Sequence, residues 1–176
     1  GLYIQPWQTV DYVKNREIGL FTADGFEPER WTPRVPAGAL LRVRADDTFW
    51  AALRVMAFTD EHIRAAVKAG QYTDPAAEKL LGDVLIERRD IIARVYTAKV
   101  NPLVKFSLDG GGALTFENPA VLAHVADAPK GGYRAVWARF DNGTGATQPL
   151  GSPTTGRDRL HAPVDLPQVE GANDLK

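Results

Sequence analysis

Residues 85–92 read LIERRDII and set Arg88 into an otherwise apolar helical stripe. At about 100° per residue Arg88 falls in line with Val84, Ile91 and Val95, and Glu87 lies at the stripe's edge. A guanidinium carried into apolar surroundings is costly unless something pairs with it. Two chemistries answer that cost. Arg88, with Glu87 beside it, could meet an anion or carboxylate at an interdomain surface. Alternatively it forms an ion pair inside the chain, or snorkels its charged head out to water. The internal reading is the simpler one, because structural ion pairs account for many such positions.

Other residue groups offer weaker chemistry. The stretch FDNGTG presents Asp141, Asn142 and Thr144 as oxygen donors. A calcium loop would need the full EF-hand spacing and its distal Glu, which are missing. The same donors could grip a sugar, with Tyr133 and Trp137 just upstream as aromatic faces. Asp, Asn and Gly are also what a plain turn requires, and the turn is the favoured reading. His62, His124 and His161 fall on different elements with no HxxxH or HExxH spacing, so no metal site and no cofactor are expected. No GxSxG elbow marks a nucleophile. LDGGGAL is neither GxGxxG nor a P-loop, and a strand rather than a helix follows its glycines, so it reads as a hairpin loop. A dispersed acid–base pair drawn from Glu87, Asp90 and His124 would suit a hydrolase, although no spacing supports it.

Bulk composition narrows the field. With 176 residues, 44% hydrophobic and 24% charged, the chain is ordinary globular material. A formal net charge of -1 supplies no basic field for nucleic acid. A helix-turn-helix around Gly70 is rejected as well, because the second helix is long, apolar and mixed in charge. The absence of cysteine removes disulfides and thiolate chemistry. No apolar run is long enough for a transmembrane segment. The chain starts at Gly1 without a processing signal, so a piece of a longer protein is expected.

The elements that must hold these residues read as an α+β fold. Residues 1–45 form an irregular arm broken by Pro28, Pro33 and Pro36. Its Trp7, Phe21, Phe26 and Trp31 need burial, so the arm should wrap over another surface. Residues 46–102 form a helical unit of three helices. Asp46 or Asp47 caps the first, Thr59 the second, and Thr73 or Asp74 the third, with Pro75 in the third helix's first turn. Gly70 stops the second helix and Asn101-Pro102 ends the third. Leu80, Leu81, Val84, Leu85, Ile91, Ile92 and Val95 make the core stripe of the third helix. Residues 103–150 form a small antiparallel β segment, part of an incomplete sandwich. VKFSL and ALTF flank the DGGG hairpin, and YRAVWARF is a strand apolar on both faces. Residues 151–176 read as an extended or disordered tail in which only short runs such as VDL could pair.

Three phrases carry a family likeness: the run from Asp46 to Leu103 beginning DDTFWAALRVMAF, then LTFENPA, then WARFDNGTG. Over Trp31 to Gly151 they resemble the C-terminal region of a family of large, uncharacterised, exported bacterial proteins with a kinase-like upstream region. The resemblance implies an extracytoplasmic, envelope location and a partner in the upstream domain of the same protein. The chain itself carries no kinase loop, and GRDRL lacks the His and the downstream Asn of a catalytic loop. The leading expectation is therefore a non-catalytic structural or interaction region. A carbohydrate- or small-ligand-binding β module and a hydrolase follow as alternatives.

Overall fold

A computed structural model describes residues 15–35 and 37–163. The fold is α+β, with antiparallel strands only. The chain divides at Asn101/Pro102 into two compact units.

The first unit holds three helices, α1 (Ala45–Met56), α2 (Asp60–Lys68) and α3 (Pro75–Thr97). Each start is fixed by local chemistry. Helix α1 begins before its expected caps: Asp46 and Asp47 sit in its first turn, and the Asp47 carboxylate reaches back to accept the Arg44 N–H at 3.0 Å. A carboxylate there meets the positive helix end, so the acidic pair favours this start from inside the helix. Thr59 caps α2 as expected. Its hydroxyl accepts the His62 N–H at 3.2 Å, while His62 Nδ1 accepts the Thr59 N–H at 3.3 Å. Asp74 caps α3 by accepting the Ala76 N–H at 2.8 Å, with Pro75 preset in the first turn.

Both α1 and α2 pack on α3, and so does the arm. The arm's contacts follow α3 in register from one end to the other. Asn15 donates to the Asp74 carboxylate at 3.0 Å, and Glu17 accepts the N–H groups of Thr73 and Asp74 at 3.1 and 3.3 Å. The Thr22 carbonyl takes Arg88, the Pro28 carbonyl takes the Tyr96 hydroxyl at 3.2 Å, and Glu29 pairs with Lys99. A helix of 23 residues is about 35 Å long. Residues 15–29 reach about 50 Å when extended. The arm thus spans the helix with slack, part of which is taken up by the turn where Asn15 pairs with Gly19.

The buried residues of this unit are mostly small: Ala23, Ala52, Val67, Ala77, Gly82, Val84, Ala93 and Thr97. Of the expected α3 stripe only Val84 is buried, and Leu80, Leu81, Leu85, Ile91, Ile92 and Val95 are half-buried. Small residues let neighbouring chain approach α3 closely and leave the larger side chains on the seam's flanks. Gly82 shows this most directly, since an added Cβ would lie 3.1 Å from the Arg64 guanidinium, which crosses it to reach Asp83 at 2.9 Å.

The second unit holds β1 (Val104–Leu108), β2 (Ala113–Glu117), a short α4 (Pro119–Leu122) and five three-residue strands. These are β3 (Tyr133–Ala135), β4 (Ala138–Phe140), β5 (Thr147–Pro149), β6 (Thr154–Gly156) and β7 (Arg159–His161). They form a sheet of order β1-β2-β7 and two pairs, β3-β6 and β4-β5. LDGGGAL is the β1–β2 hairpin, and the Asp109 carboxylate accepts the Gly111 and Ala113 N–H groups at 2.9 and 2.8 Å. Two expectations are corrected. YRAVWARF is not one strand covered on both sides: it breaks between β3 and β4, which pair in different sheets, and Val136 and Phe140 are exposed. Thr154–Gly156 and Arg159–His161, expected in the tail, form β6 and β7, and Leu160, opposite Leu114 of β2, is 2% exposed. Three-residue strands are too short for alternation to register in the sequence. VDL and Trp7 lie outside the described residues.

Candidate functional site

The arm and the helices of the first unit line a wide-open, groove-like cavity of about 840 Å³. Phe21 and Phe26 line it from the arm, Phe58 and Ile63 from the α1–α2 turn and α2, and Leu85 and Ile92 from α3. Their positions follow from local structure. The α3 pair sits seven residues apart on one face, and the arm rings are held there by the Thr22 backbone contact.

Arg88 stands in the wall of this cavity. Its Nε donates to the Thr22 carbonyl at 2.9 Å, and Nη2 donates to the same oxygen. The guanidinium carbon lies 4.1 Å from the Phe21 ring centre and 4.6 Å from that of Phe26. A cation over two aromatic faces is attracted by their negative π clouds, at about 0.5–2 kcal/mol each. Arg88 therefore has an internal partner, but not the carboxylate an ion pair requires. Among the described residues no Asp or Glu lies within ion-pair reach of it. Glu87 is exposed and likewise makes no ion pair among the described residues.

The neighbouring Arg89 is fully compensated. It meets Asp60 at 2.8 Å and Asp90 at 2.8 Å, and it donates to the Phe58 carbonyl at 2.8 Å. Burial pulls its pKa down, but the hydrogen bonds to Asp90 and Asp60 outweigh burial and hold it above the ordinary value. Asp90 is thus engaged in holding Arg89. Of the dispersed hydrolase candidates, Glu87 and Asp90 lie on α3, and His124 is an exposed residue of the second unit at φ +56°.

The β-unit candidates serve their own unit. Tyr133 packs edge-on against Phe116 at 4.9 Å between ring centres and accepts from the Asn118 side chain at 2.9 Å. Trp137 donates from its indole N–H to the Thr154 hydroxyl at 2.8 Å. Asp141 accepts the Gly143 and Thr144 N–H groups at 2.9 and 2.8 Å, and these contacts, Thr144 first, hold its carboxyl below the usual range. Thr144 in turn accepts the Ala146 N–H at 3.3 Å. Asn142 is exposed in the same turn. Oxygens that cap a turn have fewer lone pairs to offer a sugar or cation.

Among the described residues, no group of three or more His, Cys, Asp or Glu could hold a metal ion, and no helix is long and apolar enough to cross a membrane. Sequence reasoning found Arg88 but missed the cavity around it. Phe21 and Phe26 were visible as aromatics needing burial, while Phe58 and Ile63 gave no separate signal. No family model matches the sequence, and no curated protein and no solved structure matches it either.

Proposed function

We propose that this chain is a non-catalytic interaction region of a larger, envelope-associated bacterial protein, packing against the upstream, kinase-like part of the same polypeptide. One observation carries the reading. Within residues 31–50 of the first unit, Trp31, Val35, Leu41 and Trp50 are 65%, 83%, 71% and 60% exposed. Leu40 and Val43 in the same stretch are exposed too. Single exposed apolar residues are ordinary, but so many large ones in one short stretch favour a surface that another chain covers. Charge supports the same view, since a net charge of -1 leaves apolar contact as the main source of association. The sugar-binding alternative loses support, because Tyr133, Trp137 and Asp141 spend their polar groups inside the second unit.

The test is a double variant, Trp31→Asp with Leu41→Asp. Both side chains are exposed, so stability should change by no more than about 0.5 kcal/mol per site. Binding to the upstream region, supplied as a separate polypeptide, should fall by about a hundredfold, the scale of two lost apolar anchors. Equal binding by the variant, or no binding by the unaltered chain, would overturn the reading.

A further inference from the structure

The cavity around Arg88 has a chemical asymmetry that the packing surface of residues 31–50 does not explain. Its body is aromatic and aliphatic, formed by Phe21, Phe26, Phe58, Ile63, Leu85 and Ile92. Its ionisable lining groups are His62, Arg88 and Arg89, and no carboxylate lines it. Arg89 is neutralised by Asp60 and Asp90. Arg88 is not neutralised among the described residues. Only its Nε and Nη2 are engaged there, both on the Thr22 carbonyl. A guanidinium has five N–H donors, so an edge of Arg88 is left to serve something else.

Arg88 has a carbonyl acceptor and two ring faces but no counter-charge among the described residues, and an anion on its remaining N–H groups would add a charge-assisted pair. The volume, about 840 Å³, lies within the range of about 300–1,000 Å³ typical of small-molecule sites. We propose that this cavity binds an amphiphilic carboxylate of the long-chain fatty acid type. The apolar chain lies among the Phe, Ile and Leu side chains, and the carboxylate sits on the free edge of Arg88. The Phe21 and Phe26 rings hold the guanidinium in place, so little of its freedom remains to be lost on binding.

The experiment is calorimetric titration of the whole chain with dodecanoate below its micelle concentration. Dodecanol serves as the uncharged match and acetate as the tail-less one. Saturable one-to-one binding of dodecanoate is expected, with dodecanol and Arg88→Met each weaker by about tenfold or more, the scale of one lost charged hydrogen bond. Acetate should give no measurable heat. Because Arg88→Met also loosens the arm, a second variant guards the result. Ala66→Trp fills the cavity from an exposed position on α2 and should abolish dodecanoate binding while the chain stays folded. Dodecanol binding as tightly as dodecanoate would overturn the anion seat. Dodecanoate binding unchanged in Ala66→Trp, or absent from the unaltered chain, would overturn the site.

Discussion

Arg88 shows how far a single residue can be read from sequence. Its cost was legible, because an arginine in line with Val84, Ile91 and Val95 must find a partner. The partner's identity was not. A search for pairing looks for Asp or Glu, whereas the acceptor is the Thr22 main-chain carbonyl, 66 residues upstream. Every residue has a carbonyl, so this acceptor leaves no mark in the sequence. The two phenylalanines were legible as aromatics that need burial, but not as the faces of a cation. Replacing Arg88 with Met removes both hydrogen bonds and both ring contacts while keeping much of the apolar stem. No described carboxylate is left unpaired, so the loss should be moderate, about 1–3 kcal/mol. Urea unfolding would measure it. A loss above about 4 kcal/mol would point to a buried charge partner and contradict this arrangement.

At the scale of elements, the three helices, the β1–β2 hairpin and the strand character of residues 133–140 were legible, while the break between β3 and β4 and the strands β5 to β7 were not. Helix α3 announces itself through Asp74, Pro75 and a long apolar periodicity. Its large stripe residues nevertheless stay half-buried, because the seam itself is built from Ala77, Gly82, Val84, Ala93 and Thr97. Hydrophobic periodicity marks the side of a helix that packs, but it does not say how closely the neighbour approaches. Strands β5 to β7 are each three residues long, below the length at which alternation separates strand from loop. The arm gives the sharpest element-level test. Glu17 holds the start of α3 by accepting the Thr73 and Asp74 N–H groups, and Asn15 adds a bond to Asp74. Glu17→Ala should release residues 15–19 from α3 and leave Asp74 to cap the helix alone. The expected cost is about 1–2 kcal/mol. In hydrogen exchange, the added exposure should be confined to the arm's beginning and the first turn of α3. Unchanged protection there would show that the arm is held by its Phe and Arg88 contacts alone.

At the scale of the whole molecule, each of the two units has a lean core among the described residues. The buried apolar residues are mostly alanines, with Val67, Val84 and Leu160 the larger exceptions. At about 25 cal/mol per Å² of buried apolar area, such side chains contribute little each, so polar local contacts carry an unusual share of stability. Several of those contacts are carboxylates held below their ordinary pKa. Asp83 is lowered by Lys79 and then Arg64, Asp109 by the Ala113 N–H and then Gly111, and Asp141 by Thr144 and then Gly143. The sign follows from linkage. A carboxylate whose folded pKa lies below its unfolded one adds stability that is complete above the unfolded value and is lost as pH falls through the folded one. The melting temperature should therefore hold from neutrality down to the upper edge of the carboxylate range and drop steadily beneath it. In the second unit Asp109 and Asp141 each hold a hairpin turn through two main-chain N–H groups. An Asn at either position keeps an accepting oxygen but cannot titrate. The double variant Asp109→Asn with Asp141→Asn should thus melt somewhat lower than the natural chain at neutral pH, and the two should converge as the pH falls. Scanning calorimetry across that range decides the matter. Parallel curves, with the same acid loss in both chains, would mean that these two turns carry no acid-sensitive stability. The acid-sensitive charge would then be sought in the first unit, at Asp83 and Glu61, whose carboxyls are also held below the ordinary range.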